Sequence, residues 1–154
     1  MKNQEIHNIK ILLDEAYTGP AWHGPSVKEV LKNISHTESL SAINDSNNIA
    51  EIVFHMIAWR IFLINKLKGQ DDYEVSEVAN FQKFDTITEQ EWATLKSNLE
   101  HSQNELQELL SKSDDEILYK KVGLRKHNFH ILMNGVIQHD LYHLGQIVLI
   151  KKHS

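Results

Sequence analysis

His139 and His143 lie four residues apart in the stretch NGVIQHDLYHLGQIVLIKK. On a helix that spacing puts both imidazoles on one face, a turn apart, where two ring nitrogens can grip one divalent ion. Two imidazoles leave such an ion undercoordinated. A catalytic site adds a third protein ligand and keeps its remaining positions open for water or substrate. His55, in IAEIVFHMIAWR, is the best third candidate because it stands on the apolar stripe of another helical segment, and metal sites in bundles are built from inward-pointing side chains of facing helices. A His-x-x-x-His pair alone is a weak signal, since a buried histidine is more often hydrogen-bonded in a core than a ligand. Three neutral imidazoles buried together are another matter, because without an ion each would need its own hydrogen-bond partner. The expected ligand set is therefore His55, His139 and His143. Imidazole suits Zn, Ni, Fe and Cu; Zn or Ni are the first candidates here, with Fe or Mn behind them. Ligation needs neutral rings, so binding is expected to weaken as the solution is acidified through the ordinary histidine range, about pH 6.5.

Three neighbours are candidates for orienting these ligands. Glu51 stands one turn before His55, although its place three residues after Asn48 also marks it as half of a capping box, the reading we favour. Asp140 and Gln146 sit beside the paired histidines and can bond to a ring nitrogen or face solvent or the bundle seam. His23 follows Trp22 at a Gly-Pro turn, where a turn or packing role is favoured over an approach to the mouth of the site. Trp59 and Trp92 read as core anchors. His127 and His130 are expected to be exposed, and His7, His36, His101 and His153 lie in polar or terminal contexts with no evident partner.

Composition narrows the chemistry further. The chain has no cysteine, which excludes disulfides, thiolate ligands and a cysteine nucleophile, and leaves His, Asp and Glu to build any site. A net charge of −5 and the lack of a Lys/Arg cluster argue against nucleic acid as a partner. The opening MKNQEIHNIKILLDEAY has no apolar run of the secretory kind, and no later run is long enough to span a bilayer. A cytoplasmic protein with no membrane partner is the expectation.

Those histidines need helices to hold them. From Ile6 to Tyr17 apolar residues, Leu12 among them, recur at three- and four-residue steps, and Gly19-Pro20 closes the segment. Ser26 with Glu29 forms a capping box before a short helix through Ile34, and residues 35–48 read as a polar loop. Asn48 with Glu51 opens the helix of His55, which Gly69 ends. Residues 70–87 form an irregular connection, long enough to be functional or wrapped on the surface. Thr88 with Glu91 opens a third long helix, where His101, Ser102, Gln103 and Asn104 read as a solvated face. After a loop around Tyr119–His127, helical spacing resumes at Phe129 and runs to Lys151 and Lys152. No strand pattern competes. The expected fold is all-α, a four-helix bundle with a short extra helix after the first long one, forming one domain over residues 1–154.

The stretch ending HDLYHLGQI resembles the last-helix signature of the DinB/YfiT-like superfamily, in which two histidines four apart are followed by Gly-Gln-Ile. IAEIVFHMIAWR is similar to that superfamily's second-helix motif, and AWHGPSVKEVL to its turn after the first helix. The resemblance spans the chain in order. It implies a four-helix bundle, commonly a homodimer, with a divalent metal on His55, His139 and His143. It also implies thiol chemistry, because characterised members are metal-dependent thiol S-transferases or a thiol-dependent isomerase. The leading expectation is a metal-dependent transferase acting on a small molecule with a low-molecular-weight thiol as cosubstrate. A metal-dependent hydrolase and a non-enzymatic bundle that binds metal or a small ligand are the alternatives. No catalytic side chain beyond the ligand set is assigned.

Overall fold

Three helix starts are fixed by reciprocal caps that satisfy backbone N–H groups otherwise left unpaired at a helix N-terminus. In a computed structural model describing residues 3–154, Ser26, Asn48 and Thr88 each accept from the backbone N–H of the glutamate three residues on, and each glutamate carboxylate accepts back from the cap. Met1 and Lys2, which the expected domain 1–154 includes, lie outside the described residues.

The helices are α1 (Gln4–Tyr17), α2 (Val27–Lys32), α3 (Ile49–Leu67), α4 (Glu77–Asn80), α5 (Glu89–Ser111) and α6 (Phe129–His153). Two 3₁₀ turns, Glu38–Leu40 and Asp115–Tyr119, interrupt connections read from sequence as loops. The single-turn α4 is a further element, set within the 70–87 connection. Gly69 ends α3 at φ +80°, a left-handed conformation that glycine takes without steric cost. The described residues form an all-α bundle of four long helices. α3 packs on α5 and α6, and α1 packs on the same two, so α1 stands opposite α3. No helix among the described residues is long and apolar enough to cross a membrane.

The apolar stripes close into two clusters. One joins α2 to Ile52, Val53 and Met56 of α3 and to Leu144 and Ile147 of α6. The other joins α1 to Leu63, Leu106 and Met133 further along the bundle. Leu12, expected on the buried stripe of α1, is 47% exposed, so the α1 seam is narrower than its sequence pattern.

Between the clusters runs a buried polar network that corrects the reading of α5. Ser102 and Gln103 are buried rather than solvated. The Arg60 guanidinium on α3 donates to Gln103 Oε1 at 2.8 Å, and Gln103 Nε2 donates to the Leu13 carbonyl of α1 at 3.2 Å. Arg60 also pairs with Asp140 of α6, and both side chains are fully buried. Four helices thus meet at one set of polar groups, which periodicity could not show because a polar residue on an amphipathic helix is ordinarily turned outward.

Candidate metal centre

The middle of α3 and the C-terminal half of α6 bring His55, His139 and His143 to one point. His139 Nε2 lies 2.9 Å from His55 Nε2 and 3.0 Å from His143 Nε2. One nitrogen from each ring falls within 4.8 Å of the others. His55 and His143 are buried, and His139 is half-buried.

The outer ring nitrogens decide what the inner ones offer. His55 Nδ1 stands 2.8 Å from the backbone carbonyl of Asn80, which only accepts, so this nitrogen carries the proton and Nε2 presents a lone pair. His143 Nδ1 donates to Gln146 Oε1 at 2.6 Å, which leaves its Nε2 deprotonated as well. His139 Nε2 faces both lone pairs and holds at most one proton between them. Three nitrogens therefore converge with too few hydrogens to bond one another, and a cation resolves that mismatch. A carbonyl or amide on the far nitrogen is also the usual second support of a metal-bound histidine. Ligands 2.0–2.1 Å from a tetrahedral ion stand about 3.3 Å apart, a few tenths beyond the spacings here. The donor set fits a divalent ion.

Around it lies a cavity of about 730 Å³ with the three histidines in its wall. Ile43, Ile52, Phe81, Tyr142, Leu149 and Ile150 supply its apolar surface, and Asp45, Ser46, Asn47 and Gln146 its polar groups. Phe81 stacks flat on His55, with ring centroids 3.9 Å apart and planes 6° from parallel.

The three expected orienting residues separate. Gln146 bonds His143 directly. Glu51 makes no hydrogen bond to His55; its carboxylate closes the Asn48 cap and accepts from the Phe84 backbone N–H and Lys83 Nζ. The helix start competes for that carboxylate and wins. Asp140 does not bond a ring nitrogen either, because its place on α6 points it into the core at Arg60. His23 is exposed and belongs to a separate groove with Leu141, Leu144 and Val148. Trp92 is a core anchor, donating to the Ile34 carbonyl. Trp59 is only half-buried and flanks the site, its indole N–H donating to Asn80 Oδ1 at 3.0 Å. Sequence reasoning missed Asn80 and Phe81, which sit in the connection without helical periodicity; its unusual length was the one available signal.

Burial pushes all three imidazoles below their ordinary pKa, His139 to about 3, where the neighbouring His143 and His55 add to the effect. This moves the expected acid limit. With their pKa lowered, the metal-free rings are mainly neutral at pH 6.5, His139 most completely, so metal retention should persist through that pH and fall at lower values, as measured by equilibrium dialysis. The same shifts act on stability. Below pH 6.5 the unfolded chain binds protons on these histidines that the folded chain refuses, so the metal-free protein loses stability as pH falls from about 6.5 towards 3. Melting curves across that range should show the decline, and it should shrink in His139→Gln.

An all-helical bundle with a three-histidine cluster shared by two long helices defines the class of protein. The family model of the DinB superfamily matches residues 18–147, a span that contains all three histidines, and the chain belongs to that superfamily. No curated protein and no solved structure matches the chain.

Proposed function

We propose that this chain is a metal-dependent enzyme that joins a low-molecular-weight thiol to a small, mainly apolar substrate. The observation carrying the reading is that the three Nε2 atoms meet in the wall of an accessible apolar cavity rather than in a closed core. A divalent ion held there would supply Lewis acidity, lowering the pKa of a thiol beside it. The chain has no cysteine, so the sulfur must arrive with a cosubstrate. Family membership favours a thiol over water as nucleophile.

The protein's own residues do the binding and orienting. His55, His139 and His143 would hold the ion, with Gln146 and the Asn80 carbonyl fixing two of the rings. Ile43, Ile52 and Leu149 exclude water from the substrate body. Among the described residues, and apart from the histidines, the one charged side chain lining the cavity is Asp45, with no Lys or Arg. That lining suits a neutral or cationic substrate group better than an anionic one.

The test is metal analysis of untagged protein followed by a thiol-consumption screen over small electrophiles. Metal-loaded protein should consume thiol faster than the metal-free form, and fastest with uncharged apolar electrophiles. Substrate turnover that proceeds at full rate without thiol would assign the site to hydrolysis instead. Stoichiometric metal with no turnover of any electrophile would favour a binding role.

A further inference from the structure

The 70–87 connection touches the His55 ring through Asn80 and Phe81, and it is pinned on both sides of that contact. Upstream, buried Lys66 donates to the Asp71 carbonyl and pairs with Glu74, which also pairs with Arg125. Downstream, Asn48 Nδ2 donates to the Phe84 carbonyl at 2.8 Å, the Phe84 N–H donates to Glu51, and the Phe84 ring packs edge-on against Phe54. Between these anchors, α4 is a single turn capped by Ser76. Its last carbonyls have no partner within so short a helix. The one on Asn80 is spent on His55 Nδ1, and the next residue, Phe81, lays its ring on the imidazole face.

We propose that Phe81 and the Asn80 carbonyl are positioning groups for the third ligand: they fix the tautomer and plane of His55 so that its Nε2 lone pair meets His139 and His143. His139 and His143 share one helix, so their separation is set locally. His55 comes from another helix, and its ring needs an outside constraint to hold a productive rotamer. The Asn80 carbonyl selects the proton position, because it can only accept. Phe81 removes the ring's rotational freedom and, on the cavity wall, shields the imidazole from water. Outer partners of this kind carry about 10- to 100-fold in metal affinity. This rests on the metal-site reading above.

The test is a competition titration with Zn²⁺ alone against a chromophoric chelator near neutral pH. It compares Phe81→Ala, Phe81→Leu and Phe81→Tyr in the wild-type, His143→Ala and His55→Ala backgrounds. Phe81→Ala and Phe81→Leu should weaken Zn²⁺ roughly tenfold in the first two backgrounds and leave it unchanged where His55 is gone. Phe81→Tyr, which keeps the stacked ring, should restore it. A general loosening of the fold would weaken Zn²⁺ equally in all three backgrounds, and that result overturns the proposal, as does no weakening in the wild-type background. Phe81→Leu keeps the bulk, so it carries the comparison if melting shows Phe81→Ala unfolded. Wild-type protein that binds no Zn²⁺ overturns the metal-site reading itself, an outcome distinct from wild-type binding that ignores Phe81.

Discussion

His143→Ala should purify folded and without metal. The substitution leaves two imidazoles, and the lost affinity should exceed the roughly 100-fold upper cost of removing an outer partner, because a ligand itself is gone. The fold should persist for reasons local to α6. Leu144 and Ile147 on one side and Met133 and Val136 on the other remain buried, each such side chain being worth about 1.5–3 kcal/mol of burial. The hydrogen-bond partner left behind, Gln146, is half-buried on the cavity wall and can turn to water. The metal-free fold should therefore lose no more than about 1 kcal/mol. A core histidine satisfied by hydrogen bonds behaves in the opposite way: its removal costs about 1–3 kcal/mol and leaves metal content untouched. Metal content and thermal melting on one sample separate the two. A variant that keeps stoichiometric metal while melting far earlier would remove His143 from the site.

The clustering of the three histidines was legible because each sits on a strongly periodic helix. His139 and His143 announce a shared face by spacing alone, and His55 lies among Ile52, Met56 and Phe62, which fix the inward direction of α3. The caps at Ser26, Asn48 and Thr88 were equally readable, since a capping box is a contact between residues three apart. What escaped were contacts over long sequence separations made by residues with two plausible settings. Gln103 reads as surface until Arg60 supplies a buried partner from another helix. Asp140 reads as a neighbour of the histidines because it is adjacent in sequence, yet a step of about 100° around the helix turns it from their face into the core. Asn80 acts through its backbone carbonyl, and no side-chain pattern reports that.

Asp140→Ala should do the reverse of His143→Ala, sparing the metal and breaking the fold. Its carboxylate is fully buried against Arg60, where burial raises its pKa and the guanidinium opposes that rise. Removing it strands a guanidinium sealed from solvent with, among the described residues, one remaining side-chain acceptor, Gln103 Oε1. Breaking a buried pair in this way costs about 3–5 kcal/mol, a large share of the stability of a domain this size. The pair itself is not a strong net stabiliser, because Arg60 Nε and Asp140 Oδ1 are buried with no hydrogen-bond partner among the described residues. Replacing both with apolar residues of similar length, Arg60→Met with Asp140→Leu, should therefore recover most of the loss. Denaturant unfolding of the single and double variants measures the difference. At temperatures where Asp140→Ala stays folded it should still take up metal, since its carboxylate bonds Arg60 and not a ring nitrogen. A single variant that loses less than about 1 kcal/mol, or a double variant no better than the single, would mean that apolar packing rather than this ion pair holds α3 against α6.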